Sequence, residues 1–582
     1  MMRNSRFLIA GLLLVLAACG GGGDSGGTPT SSTGTTGTGS TGTGGSTGTG
    51  TGSTPPPVTL SATDAQRLLE QATFGPTPSE VTRVAALGVA AYVTQQEAIP
   101  ATGYTGFTYV PHTAPATCKS DPTAPTSAAS ICARDNYSLY QVQRQFFENA
   151  LTAPDQLRQR VAFALSQIFV VSGVEIYEAY GMAAYQNMLL NDAFGNYRQL
   201  IEDVTLSPVM GRYLTMAQNA KADPSAGFEP NENYARELMQ LFSIGLYELN
   251  PDGSQMLDAN KNPLPTYTES VVQGFAATFT GWTYAPLAGA SIDFGGAPIN
   301  YQAPMVSVAS YHDTTAKLLL NGALTPTGQT PEADLKVALD NVFNHPNVGP
   351  FIGKQLIQHL VTSNPSPAYV ARVAAVFADN GSGVRGDLSA VVKAILSDVE
   401  ARGDAPSSPD AGHLREPALY ITTLLRELGA QSDGVYLRSQ SSAMGQPVFS
   451  PPTVFNYYPP GYQLPGTTTL APEFFIQTAA TALARNNFVN QLVFNGGATP
   501  DPTVTASTGT TVNLNALLGS PVYSPDQLVN ELNGLLMHGS LSSAAQAAIV
   551  TAVEAAPTSD PLGQVKAATY LLATSPQFQV EH

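Results

Sequence analysis

The residues with the clearest chemical potential lie in NENYARELMQLFSIG, from Asn231 to Gly245, which begins with two Glu, one Arg and two Asn in a chain only 12% charged. Helical spacing puts Tyr234, Ala235, Leu238, Leu241 and Phe242 on one apolar face. Glu232, Asn233, Arg236, Glu237 and Gln240 fall on the other. Asn231 is expected to cap the helix, and Glu232 to complement its dipole and pair with Arg236 one turn on. Those roles account for Asn231 and Glu232 without any function. Asn233, Arg236 and Glu237 remain on one arc, where Glu237 could serve as a general acid/base or a ligand carboxylate, positioned by Arg236 and Asn233.

Three neighbouring features add candidates. In LDANKNPLPTYTE, Asp258, Asn260, Asn262, Thr266 and Glu269 match the oxygen-ligand spacing of a calcium loop, but Pro263 stands where the sharp turn wants Gly. Two turns of a hairpin, followed by a Thr266/Glu269 capping box, account better for the same letters. Trp282, the only Trp, follows Gly281, a candidate helix C-cap; its ring fits a core anchor or a stacking surface for a sugar polymer. Tyr311-His312-Asp313 sets an imidazole beside a carboxylate, so that His312 could assist Glu237, while Asp313 suits a local cap. The loop VFSPPTVFNYYPPGY, from Val448, reads equally as structural packing or as a recognition surface.

Familiar enzyme signatures are absent. The sequence contains no HExxH, no GxxxxGK[ST], no GxGxxG opening a helix, and no GxSxG outside low-complexity sequence. No two of the seven His are spaced i,i+4 on a helix. No cofactor is expected from these patterns, and calcium is the one metal they raise.

Helices must position these residues. Apolar spacing predicts helices over Thr63–Leu69, Pro154–Val171, Asn231–Gly245, Thr268–Phe279, Pro331–Phe343, Ala368–Phe377, Leu388–Leu396, Pro417–Leu428, Glu473–Val493, Pro525–Met537 and Ala544–Ala555. Asp387 and Ser524 stand as caps, and Pro417 suits a first turn. The expected fold is mainly α: one large irregular helical domain over 58–582, with a second packed lobe an open alternative, long Gly/Pro-rich loops and one small β-hairpin. Cys118 and Cys132, in a Pro/Ala/Ser-rich loop, are expected to form a disulfide.

The N-terminus gives an address. Arg3 and Arg6 precede an apolar run from Phe7 to Ala18, shorter than the ~20 residues of a membrane span and suited to a signal peptide. It ends Leu16-Ala17-Ala18-Cys19, which resembles a bacterial lipobox and implies lipidation at Cys19 after removal of the signal. Gly20, rather than Asp, after the Cys favours the outer membrane by the same resemblance. Residues 20–57 are almost wholly Gly, Ser, Thr and Pro, a composition expected to be disordered, with a span on the order of 35 Å. The net charge of −17 argues against nucleic acid and anionic lipid headgroups. An exported protein or a glycan is the expected partner, with membrane contact through the lipid.

The body also resembles the bacterial family "domain of unknown function 1800". Its blocks are RLLEQATFGPT from Arg67, LRQRVAFALSQIFVVS from Leu157, NENYARELMQLFSIGLY from Asn231 and YTESVVQGFAATFTGW from Tyr267, followed by YHDTTAKLLL, HPNVGPFIGKQLIQHLV and GDLSAVVKAILSD. The resemblance implies an exported, largely helical protein and no particular reaction. Relatives carry a Trp-His-Asn-His-Phe-like string where this chain has Leu165-Ser166-Gln167-Ile168-Phe169, so a His-based metal site is not expected here. The function expected is an envelope-anchored binding or assembly module, the alternative being a hydrolase using Glu237.

Overall fold

The computed structural model describes residues 59–581; Cys19, the signal sequence and the whole Gly/Ser/Thr/Pro segment 20–57 lie outside the described residues. Twenty-two α-helices occur among these residues. β-structure is confined to two two-stranded sheets and one three-stranded sheet, built from two-residue strands. The fold is mainly α, and one contiguous core runs from Ala65 to Phe578.

Proline and short polar side chains punctuate this helical body. Thr77-Pro78, Thr330-Pro331, Ser366-Pro367, Ser524-Pro525, Asp560-Pro561 and Ser575-Pro576 each open a helix. In each pair the first side chain accepts from the amide three residues on, and the proline occupies the first turn. Asp387 caps its helix in the same way, through the Ala390 amide. Pro417 opens the helix Pro417–Glu427.

Several elements depart from the periodicity. The window Glu473–Val493 divides into a 3₁₀ turn, Pro472–Ile476, and a helix, Ala479–Asn495. Thr478 and Thr481 cap each other at the break, which restarts the helix. The Thr266/Glu269 capping box is not formed: the Thr266 hydroxyl donates to the Gly245 carbonyl, and Glu269 pairs with Arg236. Gly281 is not the cap either, because the preceding helix ends at Thr278 with Phe279 at its C-cap. The helix Val348–Leu360 escapes periodicity because Gly349, Pro350 and Gly353 interrupt its pattern. Both glycines serve close packing on the helix Pro367–Ala378: a Cβ on Gly353 would meet Val373 at 3.1 Å, and one on Gly349 the Ala374 carbonyl at 3.2 Å.

The ends of the body meet on one short segment. Strand His413–Leu414 pairs antiparallel with Val580–Glu581. From the helix Ala62–Ala72, Glu70 receives the guanidinium of Arg415. The disulfide Cys118–Cys132 is present.

Candidate functional site

The structure does not bring the sequence candidates together. Asn231 Oδ1 accepts from the Asn233 amide at 2.9 Å and starts the helix Asn233–Gln240, with Asn233 itself exposed. The Arg236 guanidinium bridges Glu232 at 2.9 Å and Glu269 at 3.0 Å, near the surface. Glu237 is half-buried. Its Oε2 is enclosed without a hydrogen-bond partner, and burial pushes its carboxyl upward against the pull of Arg236. Arg236 is thus committed to two other carboxylates.

His312 is a core residue. Its Nδ1 lies 2.9 Å from the Thr280 carbonyl and its Nε2 3.0 Å from Asp334, which also takes Lys317 at 2.5 Å. It shares no partner with Glu237, so the proposed acid/base pair is not assembled. Asp313 accepts from the Thr315 amide, a local turn role. Trp282 is 4% exposed and lies in a strand against Ser307, so its ring has no face free to stack on a polymer.

The calcium set does not converge either. Asp258 Oδ1 accepts from the backbone amides of Asn260 and Asn262, and Oδ2 from the Asn262 side chain. Glu269 is held by Arg236. The segment is a hairpin excursion with bridges Tyr247–Pro265, Leu249–Gln255 and Leu257–Pro263. Among the described residues, no group of three or more His, Cys, Asp or Glu is arranged to hold a metal.

The concentration of buried polar groups lies elsewhere, around Gly412-His413-Leu414-Arg415-Glu416-Pro417. These residues precede an apolar helix, and their three ionisable side chains point to different partners. Arg415 donates to Glu70 and to the Phe578 carbonyl. His538 Nε2 stands 3.1 Å from Glu70. Burial alone would raise the Glu70 carboxyl, but Arg415 and His538 hold it down to about 2. This cluster fixes the segment between the ends of the body.

Glu416 faces the other way. Its Oε1 accepts from Gln167 Nε2 at 3.1 Å, and its Oε2 from the Tyr458 hydroxyl at 2.7 Å and from Gln446. Gln167 Oε1 in turn accepts from Asn456 Nδ2 at 3.1 Å, and the Tyr458 oxygen, whose one proton goes to Glu416, lies 3.1 Å from it. A connected network of this kind fixes each amide's orientation. Asn456 and Tyr458 come from the aromatic, proline-rich loop, which therefore packs its polar groups inward and leaves Phe455 51% exposed.

His413 lies 3.4 Å from Glu581 and 3.7 Å from Glu473, ion-pair rather than hydrogen-bond distances. Burial would depress its imidazole, but the two carboxylates, Glu581 foremost, hold it above the ordinary value. Burial pushes the Glu473 carboxyl up to about 7, with His413 opposing. Ser363 donates to Glu473 Oε2 at 2.8 Å. Burial and the neighbouring Arg160 and His413 press His359 down to about 3, which keeps it neutral.

These groups floor an open cleft with about 70 Å³ of room. Gln167, Gln355, Gln358, His359, Asn456, Tyr458 and Glu473 supply polar atoms. Ile168, Leu241, Phe351, Val454, Phe455, Pro460 and Pro472 form apolar walls. Gln355 Nε2 is enclosed there without a protein partner. Three of the family-like sequence blocks therefore meet at the cleft: Gln167 and Ile168 lie in the Leu165–Phe169 string, Leu241 closes the helix that begins at Asn233, and Phe351, Gln355, Gln358 and His359 lie in the block that begins at His345.

The sequence signal that finds this site is the same one that marks NENYARE. His413, Arg415 and Glu416 place three ionisable groups within four letters of a sparsely charged chain. Glu473 gives no local signal, because its helix-like context hides a 3₁₀ turn.

A mainly helical body with a polar-floored cleft defines a broad class of globular proteins. The chain belongs to the DUF1800 family, described as a protein of unknown function, whose model matches residues 67–580. No curated protein and no solved structure matches it.

Proposed function

We propose that this chain is an exported, lipid-anchored envelope protein that captures an exported partner or surface polymer in the cleft floored by Gln167, Asn456, Tyr458 and Glu473. The observation that carries the reading is the cleft's lining, polar groups between apolar walls as in ligand sites, with about 70 Å³ of room that admits part of a larger ligand. The address rests on the Leu16–Cys19 lipobox and the segment 20–57 as a tether, with the outer membrane favoured.

Filling the cleft tests the binding reading. Val454→Trp, placed on the loop at the cleft wall, is expected to abolish co-sedimentation of the full chain with isolated envelope polymer while leaving circular dichroism unchanged. Intact co-sedimentation would refute it. Cys19→Ala is expected to move the chain from the membrane fraction to the soluble envelope fraction and to end its labelling by palmitate.

The hydrolase reading moves from Glu237 to Glu473, favoured by one observation: a cleft carboxyl pushed up to about 7, where a general acid/base works best at neutral pH. Release of new reducing or amino ends from envelope polymer by the wild type, lost in Glu473→Gln, tests it. Equal release by both would remove Glu473 from the chemistry.

A further inference from the structure

The cleft's chemistry narrows what it can hold, and the narrowing rests on the binding reading above. Three properties of the lining decide between ligand classes.

Charge comes first. The imidazole in the lining, His359, is kept neutral by burial and by the cations behind it. Arg160, fully buried, spends one guanidinium nitrogen on the His359 carbonyl and does not line the cleft. Nothing in the lining therefore attracts an anion, and the net charge of −17 opposes one. The single carboxyl, Glu473, is bonded by Ser363 and faced by His413, so it offers a cationic ligand little free charge.

Hydrogen-bond type comes second. Gln355 presents a carboxamide to the cleft and Asn456 one that spends a single amide hydrogen on Gln167, whereas Gln358 gives both of its hydrogens to the Ser363 and Pro460 carbonyls and Gln167 and Tyr458 are tied into the Glu416 network. A carboxamide both donates and accepts, which matches a ligand hydroxyl that also does both. Gln355 Nε2 is a buried donor with no protein partner. Several amides on this floor are already oriented by Glu416 and by each other, which lowers the ordering cost of binding.

Shape comes third. Phe351, Phe455, Pro460 and Pro472 give flat apolar faces, and Phe455 is half-exposed at the mouth. Rings of this kind present a face to the C–H surface of a sugar. An extended peptide, by contrast, draws affinity from pairing with a sheet edge. The strands among the described residues are two residues long and do not line this cleft.

We infer that the cleft binds a neutral saccharide unit of a longer glycan, with the ring lying across the opening against Phe455 and hydroxyls reaching the Gln355 and Asn456 amides.

The experiment is calorimetric titration of the full chain with neutral hexasaccharides (gluco-, manno-, galacto- and N-acetylglucosamine-based), an oligogalacturonate, and a set of neutral hexapeptides. One neutral saccharide is expected to bind. Phe455→Ala, at an exposed position where folding is not at risk, is expected to weaken it about tenfold, an effect typical of losing one aromatic contact. Binding of only the oligogalacturonate or of peptides, sensitive to Phe455→Ala, overturns the saccharide inference and leaves the cleft reading standing. So does the absence of any neutral saccharide binding where Val454→Trp still abolishes polymer co-sedimentation. If Val454→Trp leaves co-sedimentation intact, both fall.

Discussion

Glu473→Gln should change the pH dependence of stability more than the stability itself. The Glu473 carboxyl is buried and pushed from an ordinary value near 4.5 up to about 7. A carboxyl raised in the folded state stabilises that state below its unfolded value, and the stabilisation is lost as pH climbs through the folded value. The window is therefore about pH 4.5 to 7. At about 1.4 kcal/mol per pH unit of separation, the loss is on the order of 3 kcal/mol. The carboxamide introduced by Glu473→Gln mimics the protonated carboxyl and does not titrate. Relative to wild type, the variant is thus expected to gain about 3 kcal/mol between about pH 4.5 and about pH 8, whatever the fixed cost of losing the carboxyl's contact with Ser363. His413 titrates from its ordinary value of 6.5 upward. Its raised imidazole also loses stabilisation as pH rises, so the comparison between the two proteins isolates Glu473 only with His413 present in both. Urea midpoints of both proteins at several pH values measure this. Parallel curves would refute the reasoning, because they would mean that His413 holds Glu473 ionised in the folded protein.

Four further outcomes follow from the same contacts. Arg415→Met leaves the Glu70 carboxylate buried against His538 alone and is expected to cost about 3–5 kcal/mol, with Glu70→Gln/Arg415→Met costing less than Arg415→Met; urea denaturation reads both. Arg236→Ala, at a pair near the surface, is expected to leave the melting temperature nearly unchanged. Added calcium or EDTA is expected to leave it unchanged too, since Asp258 and Glu269 are committed to other partners, and a calcium-dependent rise would restore that site. Replacing Cys118 and Cys132 by Ser opens a loop of 14 residues and is expected to cost about 3 kcal/mol, with faster proteolytic nicking near residues 112–127.

Much of the helical architecture is legible because caps and prolines write helix starts into the chain, as at Asp387, Pro417 and Ser524. Helices that bury glycines against a neighbour, such as Val348–Leu360, break apolar periodicity for a packing reason that only the partner helix reveals. The Asn231 block reads as a capped amphipathic helix with a Glu232–Arg236 pair; the helix and the pair are there, but the N-cap is Glu232 without a side-chain cap, and Asn231 accepts only from the Asn233 amide. The step from one arc to one site fails, because Arg236 turns to Glu269, a residue 33 positions away in sequence. Sequence places His312 beside a carboxylate, but its partner is Asp334 rather than Asp313. The cleft is legible only in pieces: Gln167, the Asn456–Tyr458 loop and Glu473 are brought together by long-range pairing through Glu416 and His413. No local pattern encodes that convergence, although the charge density of His413-Leu414-Arg415-Glu416 marks its hub.

The most direct test of the cleft as the binding site is photocrosslinking in living cells, with a benzoylphenylalanine in place of Phe455 and a control in place of Val399, which is 76% exposed and not among the cleft residues. The account predicts discrete adducts with an envelope component from position 455 and none from position 399. Adducts from both positions alike, or from neither, would contradict it.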